Sequence, residues 1–464
     1  MGSENPWWVD PDPASLPFSS LVPRPYLGLL FPLVSSTEIR RAVVLMGPRR
    51  VGKTVIVHHA IARLLAAGVP PRRVAYVSVD HPIYNRLGLE ELLDVYLEAS
   101  GAVRGEGPCF VFFDEIQYLR DWEIHLKVLV DSRPELKCVV SGSAAAALRL
   151  KSVESGAGRF TEFLLPPLTF HEYLRLLGEE DLAGTERAPD DFGEASDLPA
   201  LNGRFLHYLN FGGYPEVVLS PSIQADPGRF VRSDIIDKVL LRDLPSLYGI
   251  HDVQELNALF TSLAFNTGRE VALEDLSKRS GVAKNTIKKY IEYLEAAYLL
   301  RVVHRVDRGA RRFQRARAFK VFLTNPSLRA ALFSPVDADD PATGALVETA
   351  AFAQWFHSGT TLHYARWESG EVDMVSVGGD QRIGWAAEVK WSDRAAERPE
   401  ELAALLTFCR ETGLREAVIT SRSFSGRQAH RGVVVRFVPA AQYCAAVGRG
   451  LVEGRVGPRI PPGP

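Results

Sequence analysis

The sequence predicts an α/β protein, and three stretches carry that prediction. The apolar run Ala42-Val-Val-Leu-Met46 leads into Gly47-Pro48-Arg49-Arg50-Val51-Gly52-Lys53-Thr54, and the run from Val55 to Leu65 follows with apolar residues at helical spacing. This is a G-x-x-x-x-G-K-[ST] loop between a strand and a helix. Downstream, Cys109-Phe-Val-Phe-Phe-Asp114-Glu115 is a continuous apolar strand ending in two carboxylates, as expected of a strand buried on both faces in a parallel sheet. Toward the C-terminus a helical run and strand-like runs around Asp373 and Glu388-Val-Lys390 indicate a second α/β region.

At 464 residues the chain has room for about three domains, and 46% apolar with 24% charged residues is ordinary for a globular protein. The net charge of −2 excludes a whole-molecule field for nucleic acid, so such a site would be a local patch. Cys109, Cys138, Cys409 and Cys444 lack metal-ligand spacing and read as small core residues in a reducing compartment. No apolar run approaches the ~18 residues of a membrane span and no leader pattern opens the sequence, so a cytoplasmic location is expected.

Residues 1–40 are Pro-rich and hold Trp7 and Trp8, which suit an N-terminal arm packed on the body. Residues 41–175 form the phosphate-loop core. Its glycines let successive N–H groups from Gly47 to Val55 face phosphate oxygens, with the helix N-terminus adding partial positive charge. Lys53 would reach the β and γ phosphates of ATP, and Thr54 with Asp114 would hold Mg²⁺. Glu115 would orient and polarise the attacking water. Val74 to Val79 and Leu136 to Ser141 read as further strands; Ser141 either senses the γ-phosphate or belongs to an ordinary Ser-Gly-Ser turn. Arg159 is either an exposed structural arginine or a finger reaching a neighbouring subunit's nucleotide.

Residues 176–268 read as a helical lid with an acidic insertion, since Gly178 to Gly203 holds eight carboxylates against one arginine and suits a solvated loop. Residues 269–325 have a winged helix-turn-helix layout. Gly281 permits the turn, Ile287, Ile291 and Leu294 face inward, and Lys284, Asn285, Lys288 and Lys289 face outward. Arg308, Arg311, Arg312 and Arg315 would crowd the wing tip, a charge set suited to a DNA backbone or simply to a solvated face. In residues 340–448 the order Glu348, Asp373, Glu388-x-Lys390 is that of the restriction-endonuclease-like fold, in which Asp373 and Glu388 would hold Mg²⁺ and Lys390 would assist the attacking water. Residues 449–464 read as a disordered tail.

The ordered set Gly47 to Thr54, Phe113-Asp-Glu-Ile-Gln117, Val140-Ser-Gly-Ser143, the Leu-Pro-Pro-Leu-Thr-Phe-His-Glu-Tyr segment ending at Tyr173, Phe211-Gly-Gly-Tyr-Pro215, Asp373 and Glu388-Val-Lys390 resembles prokaryotic AAA-type ATPases. These carry a C-terminal domain of unknown function (DUF4143-like) of the PD-(D/E)XK nuclease type. The resemblance spans about residues 20 to 440 and implies an AAA-type core, a winged helix, a nuclease-like module and assembly into a ring, with a hexamer as one form. It departs at Glu348-Thr349, where relatives often have Glu-Asn. Three functions are compatible with these residues: an oligomeric DNA-dependent ATPase that translocates on or remodels DNA, an ATP-gated Mg²⁺-dependent nuclease, and a nucleotide-controlled switch that binds proteins.

Overall fold

The structure is a computed structural model that describes residues 1–464 apart from 85–86, 103–106, 143–157, 185–191, 308–317, 357, 379–381, 455–464 and the side chain of Pro13. The chain divides into two compact units, Met1–Pro166 and Pro167–Pro464.

The first unit is built on five parallel strands: β1 (Ala42–Met46), β2 (Val74–Ser78), β3 (Cys109–Asp114), β4 (Leu136–Ser141) and β5 (Phe160–Leu164), in the order β2-β3-β4-β1-β5. Every residue of β1 and β3 is buried, which is why these strands read as unbroken apolar runs rather than alternating ones. Because the strands are parallel, their C-terminal ends share one edge, and Met46, Ser78, Asp114 and Ser141 all finish there. The helix Lys53–Ala66 follows β1, burying Ile56, Val57, Ala60, Ile61 and Leu64 at helical spacing.

The N-terminal arm has a specific attachment. Strand β2 lies at the sheet edge, where its backbone groups would otherwise face solvent. Side chains of the arm satisfy them: Trp7 and Trp8 each donate an indole N–H to the Val74 carbonyl at 2.9 Å. Asn5 donates to the Tyr76 carbonyl at 3.0 Å and accepts from the Tyr76 amide at 2.7 Å. The arm therefore replaces a sixth strand with amide and indole groups.

The second unit holds a mixed nine-stranded sheet, in the order β13-β14-β12-β11-β10-β9-β7-β8-β6. Its strands are β6 (Glu270–Ala272), β7 (Leu300–Val306), β8 (Ala318–Leu323), β9 (Leu362–Trp367), β10 (Gly370–Val377), β11 (Ile383–Glu388), β12 (Glu416–Ser421), β13 (Gly426–His430) and β14 (Val433–Pro439). The strand pair β7–β8 is antiparallel, and β7 also pairs in parallel with β9, so a single hydrogen-bonded sheet joins residues 270–323 to residues 362–439. One face packs Tyr364, Met374, Ala387 and Val418 against the helices Thr343–Trp355 and Ala440–Val452. The other packs Ala365, Val375, Ala386 and Ile419 against the helix Ala403–Thr412.

Two local expectations are corrected. The acidic stretch 178–203 is not wholly a solvated loop: Ala183 and Phe192 are buried, Phe192 lies 5.6 Å from the Tyr443 ring, and Leu198–Phe211 is helical. Apolar residues interspersed among the acids anchor it. The final helix runs to Val452, four residues past the expected boundary at 448, because Leu451 and Val452 are themselves buried. Among the described residues no helix is long and apolar enough to cross a membrane, and all four cysteines are buried free thiols.

Candidate functional site

Gly47 sits where no side chain fits, since a Cβ there would lie 2.2 Å from the Leu165 carbonyl oxygen. Gly52 takes the left-handed conformation (φ 90°, ψ 31°) that turns the loop into the helix beginning at Lys53. The loop thus places a helix N-terminus at the C-terminal edge of a parallel sheet. Lys53 is buried at 6% exposure and donates to the carbonyls of Gly47 at 3.0 Å and Pro48 at 2.7 Å. Arg24, from the arm, is also buried and donates to the carbonyls of Val51 at 2.8 Å and Pro166 at 3.0 Å, fixing the loop from behind.

Asp114 is the centre of the site and is 3% exposed. Its Oδ2 accepts from the Thr54 hydroxyl at 2.7 Å and the Tyr76 phenol at 2.9 Å. Its Oδ1 accepts from the Ser141 hydroxyl and, at 3.1 Å, from the Glu115 amide. Burial and the Asp114 charge push the Tyr76 phenol up, so it stays a donor across the ordinary pH range. Glu115 adopts a left-handed conformation (φ 56°) just past β3 and accepts a hydrogen bond from Gln117. A hydroxyl and a carboxylate at 2.7 Å, with a second acid beside them, form a donor set suited to Mg²⁺ held through Thr54 and Asp114. The His58 ring lies tilted against the Tyr76 ring, their centroids 4.6 Å apart; burial lowers it to about 4, with Asp114 opposing and His59 assisting that shift, so it is neutral.

The fold brings together Lys53, Thr54, Asp114, Glu115 and Ser141 as the sequence suggested. Two contributors escaped sequence reading. Tyr76 is an ordinary strand tyrosine until β2 is placed beside β3, and Arg24 lies in a Pro-rich arm with no motif. Arg159 lies elsewhere: its carbonyl accepts from the Ala42 amide at 2.9 Å and its Nε pairs with Asp131 at 3.1 Å. That is the N-terminal end of β1 and β5, a strand length of roughly 15 Å from the loop. Arg159 therefore does not reach its own chain's phosphate loop.

On the helix Lys284–Ala296, Ile287, Ile291 and Leu294 are buried while Lys284, Asn285, Lys288 and Lys289 are exposed. Lys284 pairs with Glu274 at 2.9 Å and Lys288 with Glu292 at 3.8 Å, which offsets part of that positive face. Arg308, Arg311, Arg312 and Arg315 lie outside the described residues.

The acids of the C-terminal region do converge, but around lysines. Lys320, in β8 and 4% exposed on its side chain, lies 2.8 Å from Glu348, 2.7 Å from Glu371 and 3.5 Å from Asp373. Lys390 lies 2.7 Å from Glu388 and 3.7 Å from Asp373. Burial raises Glu388 to about 7 and Glu348 to about 8; the Asp373 charge adds to both shifts, and the lysines oppose them. Among the described residues no three His, Cys, Asp or Glu side chains are arranged to hold a metal ion. The Mg²⁺ site expected at Asp373 and Glu388 falls within this lysine-filled cluster. Its acids already share their space with two ammonium groups.

Residues 39–174 match a family model described as "AAA domain", and residues 202–340 match one described as "Domain of unknown function (DUF8612)", which is not the domain named by the motif resemblance. The chain is 22% identical over 348 residues to an uncharacterized protein of Haemophilus influenzae, covering 73% of this chain and 80% of that one. Two uncharacterized proteins of Methanocaldococcus jannaschii are 25% and 23% identical; the matches cover 67% and 55% of this chain, and 66% and 55% of theirs. Among solved structures, the Walker-type ATPase of Pyrococcus abyssi aligns at 15% identity with a TM-score of 0.38, covering 64% of this chain and 91% of that one. The phosphate loop, the acids that end β3 and the matched segment agree: over residues 39–174 this chain carries a P-loop ATPase-like AAA domain.

Proposed function

We propose that the protein hydrolyses ATP at the loop Gly47–Thr54 and uses its second unit to engage DNA as part of a homo-oligomer. The observation that carries the hydrolytic half is the Thr54–Asp114 hydrogen bond of 2.7 Å, with Glu115 next in sequence at the sheet edge. Loop amides and Lys53 would bind the phosphates, with Lys53 exchanging the Gly47 and Pro48 carbonyls for phosphate oxygens. Thr54 and Asp114 would hold Mg²⁺, which when bound neutralises charge on the β and γ phosphates. Tyr76 and Ser141 orient Asp114 by donating their hydroxyls to its two oxygens. Glu115 accepts a proton from the water that attacks the γ-phosphorus, and ADP leaves with the bridging oxygen.

The DNA half is supported by the exposed Lys284, Asn285, Lys288 and Lys289 on one helix. The oligomeric half is supported by Arg159, which lies at the sheet end away from its own loop and is 42% exposed on its side chain. The test is the rate of phosphate release with single-stranded, duplex and branched DNA, alongside the mass of the particle with and without nucleotide. Glu115→Gln should lower turnover by roughly two to three orders of magnitude while nucleotide still binds. Joint reversal of Lys284, Lys288 and Lys289 to Glu should abolish DNA stimulation but leave basal turnover intact. A Glu115→Gln protein as active as the native one would overturn the hydrolytic assignment, and a rate indifferent to every DNA form would remove DNA from it.

A further inference from the structure

Strand β8 reads Ala318-Phe-Lys-Val-Phe-Leu323, an apolar strand interrupted by one charge. A buried ammonium is costly unless carboxylates surround it, and Lys320 has three of them within 3.5 Å, from the helix Thr343–Trp355 and strand β10. Two of them, Glu348 and Asp373, belong to the order Glu348, Asp373, Glu388-x-Lys390 that would hold a divalent ion.

Both oxygens of Asp373 are committed. Oδ1 faces Lys320 at 3.5 Å, and Oδ2 accepts from the Val389 amide at 2.9 Å while Lys390 stands 3.7 Å away. The backbone of Lys390 is itself clamped, its amide donating to Thr420 at 2.7 Å and its carbonyl accepting from Thr420 at 2.8 Å. A divalent ion bonds carboxylate oxygens at about 2.0–2.6 Å. At that distance from Glu348 and Asp373 it would stand against the Lys320 ammonium. One group in the cluster does point to a vacated ligand: Glu388 Oε2 is buried without a hydrogen-bond partner among the described residues.

We propose that Lys320 is the resident cation of this cluster, occupying with its ammonium the place a divalent ion takes among such acids. The native cluster consequently takes up neither Mg²⁺ nor Mn²⁺. Removing the ammonium frees the space between the three acids it pairs with, Glu348, Glu371 and Asp373, for a divalent ion. This inference is independent of the ATPase assignment, because it is tested on the full chain without nucleotide.

The probe is Mn²⁺, counted by equilibrium dialysis and electron paramagnetic resonance. Native protein and Asp373→Asn should take up equal amounts. Lys320→Met should take up about one further ion per chain, and Lys320→Met with Asp373→Asn should lose it. Should Lys320→Met fail to fold, Lys320→Met with Glu348→Gln removes the cation and one acid together; Glu371 and Asp373 remain at the vacated place, and it should also gain the ion. Native uptake that falls in Asp373→Asn would overturn the inference, as would a folded Lys320→Met, or the double variant in its place, that gains no ion. If neither Lys320 variant folds, the comparison of native protein with Asp373→Asn decides it alone.

Discussion

Asp114 accepts from Thr54, Tyr76 and Ser141 side chains on three separate elements, so its orientation is over-determined. Of these, Tyr76 contributes a donor that makes no other claim on the loop. Tyr76→Phe should destabilise the first unit by about 1–3 kcal/mol, the range for removing a donor from a buried charged acceptor. It should also raise the Mg²⁺ concentration needed for half-maximal ATP turnover; denaturant unfolding and a Mg²⁺ titration measure the two effects. Glu348 and Glu388 give a second expectation at this scale. Their folded values, about 8 and about 7, lie above the ordinary 4.5, so the folded chain keeps protons that the unfolded chain releases. Stability from these groups is therefore highest below about 4.5 and falls as pH rises through the folded values. Lys320 and Lys390 are raised by the same acids against the opposing effect of burial, so they remain charged throughout that window. Between pH 5 and 8.5 the melting temperature of Glu388→Gln should decline less steeply than that of the native chain. Parallel curves would show that Glu388 is ionised in the folded state.

Among the elements, β2 has the most conditional stability, because it is an edge strand whose neighbour on one side is an arm rather than a strand. The arm holds it through two indoles and an asparagine, and Trp7 is wholly buried. Deleting residues 1–10 should expose the Val74 carbonyl and the Tyr76 backbone, lowering the melting temperature and promoting edge-to-edge association. Light scattering on heating would detect it, and an arm-deleted protein that melts like the full chain without aggregating would show that the edge needs no cover. The contrast with β1 and β3 is instructive. Those strands were legible in sequence because burial on both faces forces a continuous apolar run. The arm was legible only as a place for two tryptophans, since hydrogen bonds from Asn5 and Trp7 to a strand 67 to 71 residues away leave no local periodicity.

For the molecule as a whole, the consequential feature is the parallel pairing of β7 with β9, in which His304 to Val306 align with His363 to Ala365. It makes a strand pair that looks like the wing of a small module part of a nine-stranded sheet, near the edge that β6 forms. Residues 267–326 expressed alone should therefore remain unfolded or aggregate, while 167–454 should unfold in one cooperative transition by circular dichroism. A folded, monomeric 267–326 fragment would mean that the pairing is dispensable. Sequence alone determined the phosphate loop, the acids ending β3, the buried and exposed faces of the helix Lys284–Ala296 and the candidate acids of the C-terminal region. Each of these is written in short-range spacing, which reflects backbone geometry within a single element. Tertiary structure alone decided that Tyr76 and Arg24 serve the loop, that Arg159 stands at the far end of the sheet from it, and that Lys320 occupies the acid cluster. These outcomes depend on strand order and register, and side chains brought together across a sheet need carry no fixed separation along the chain.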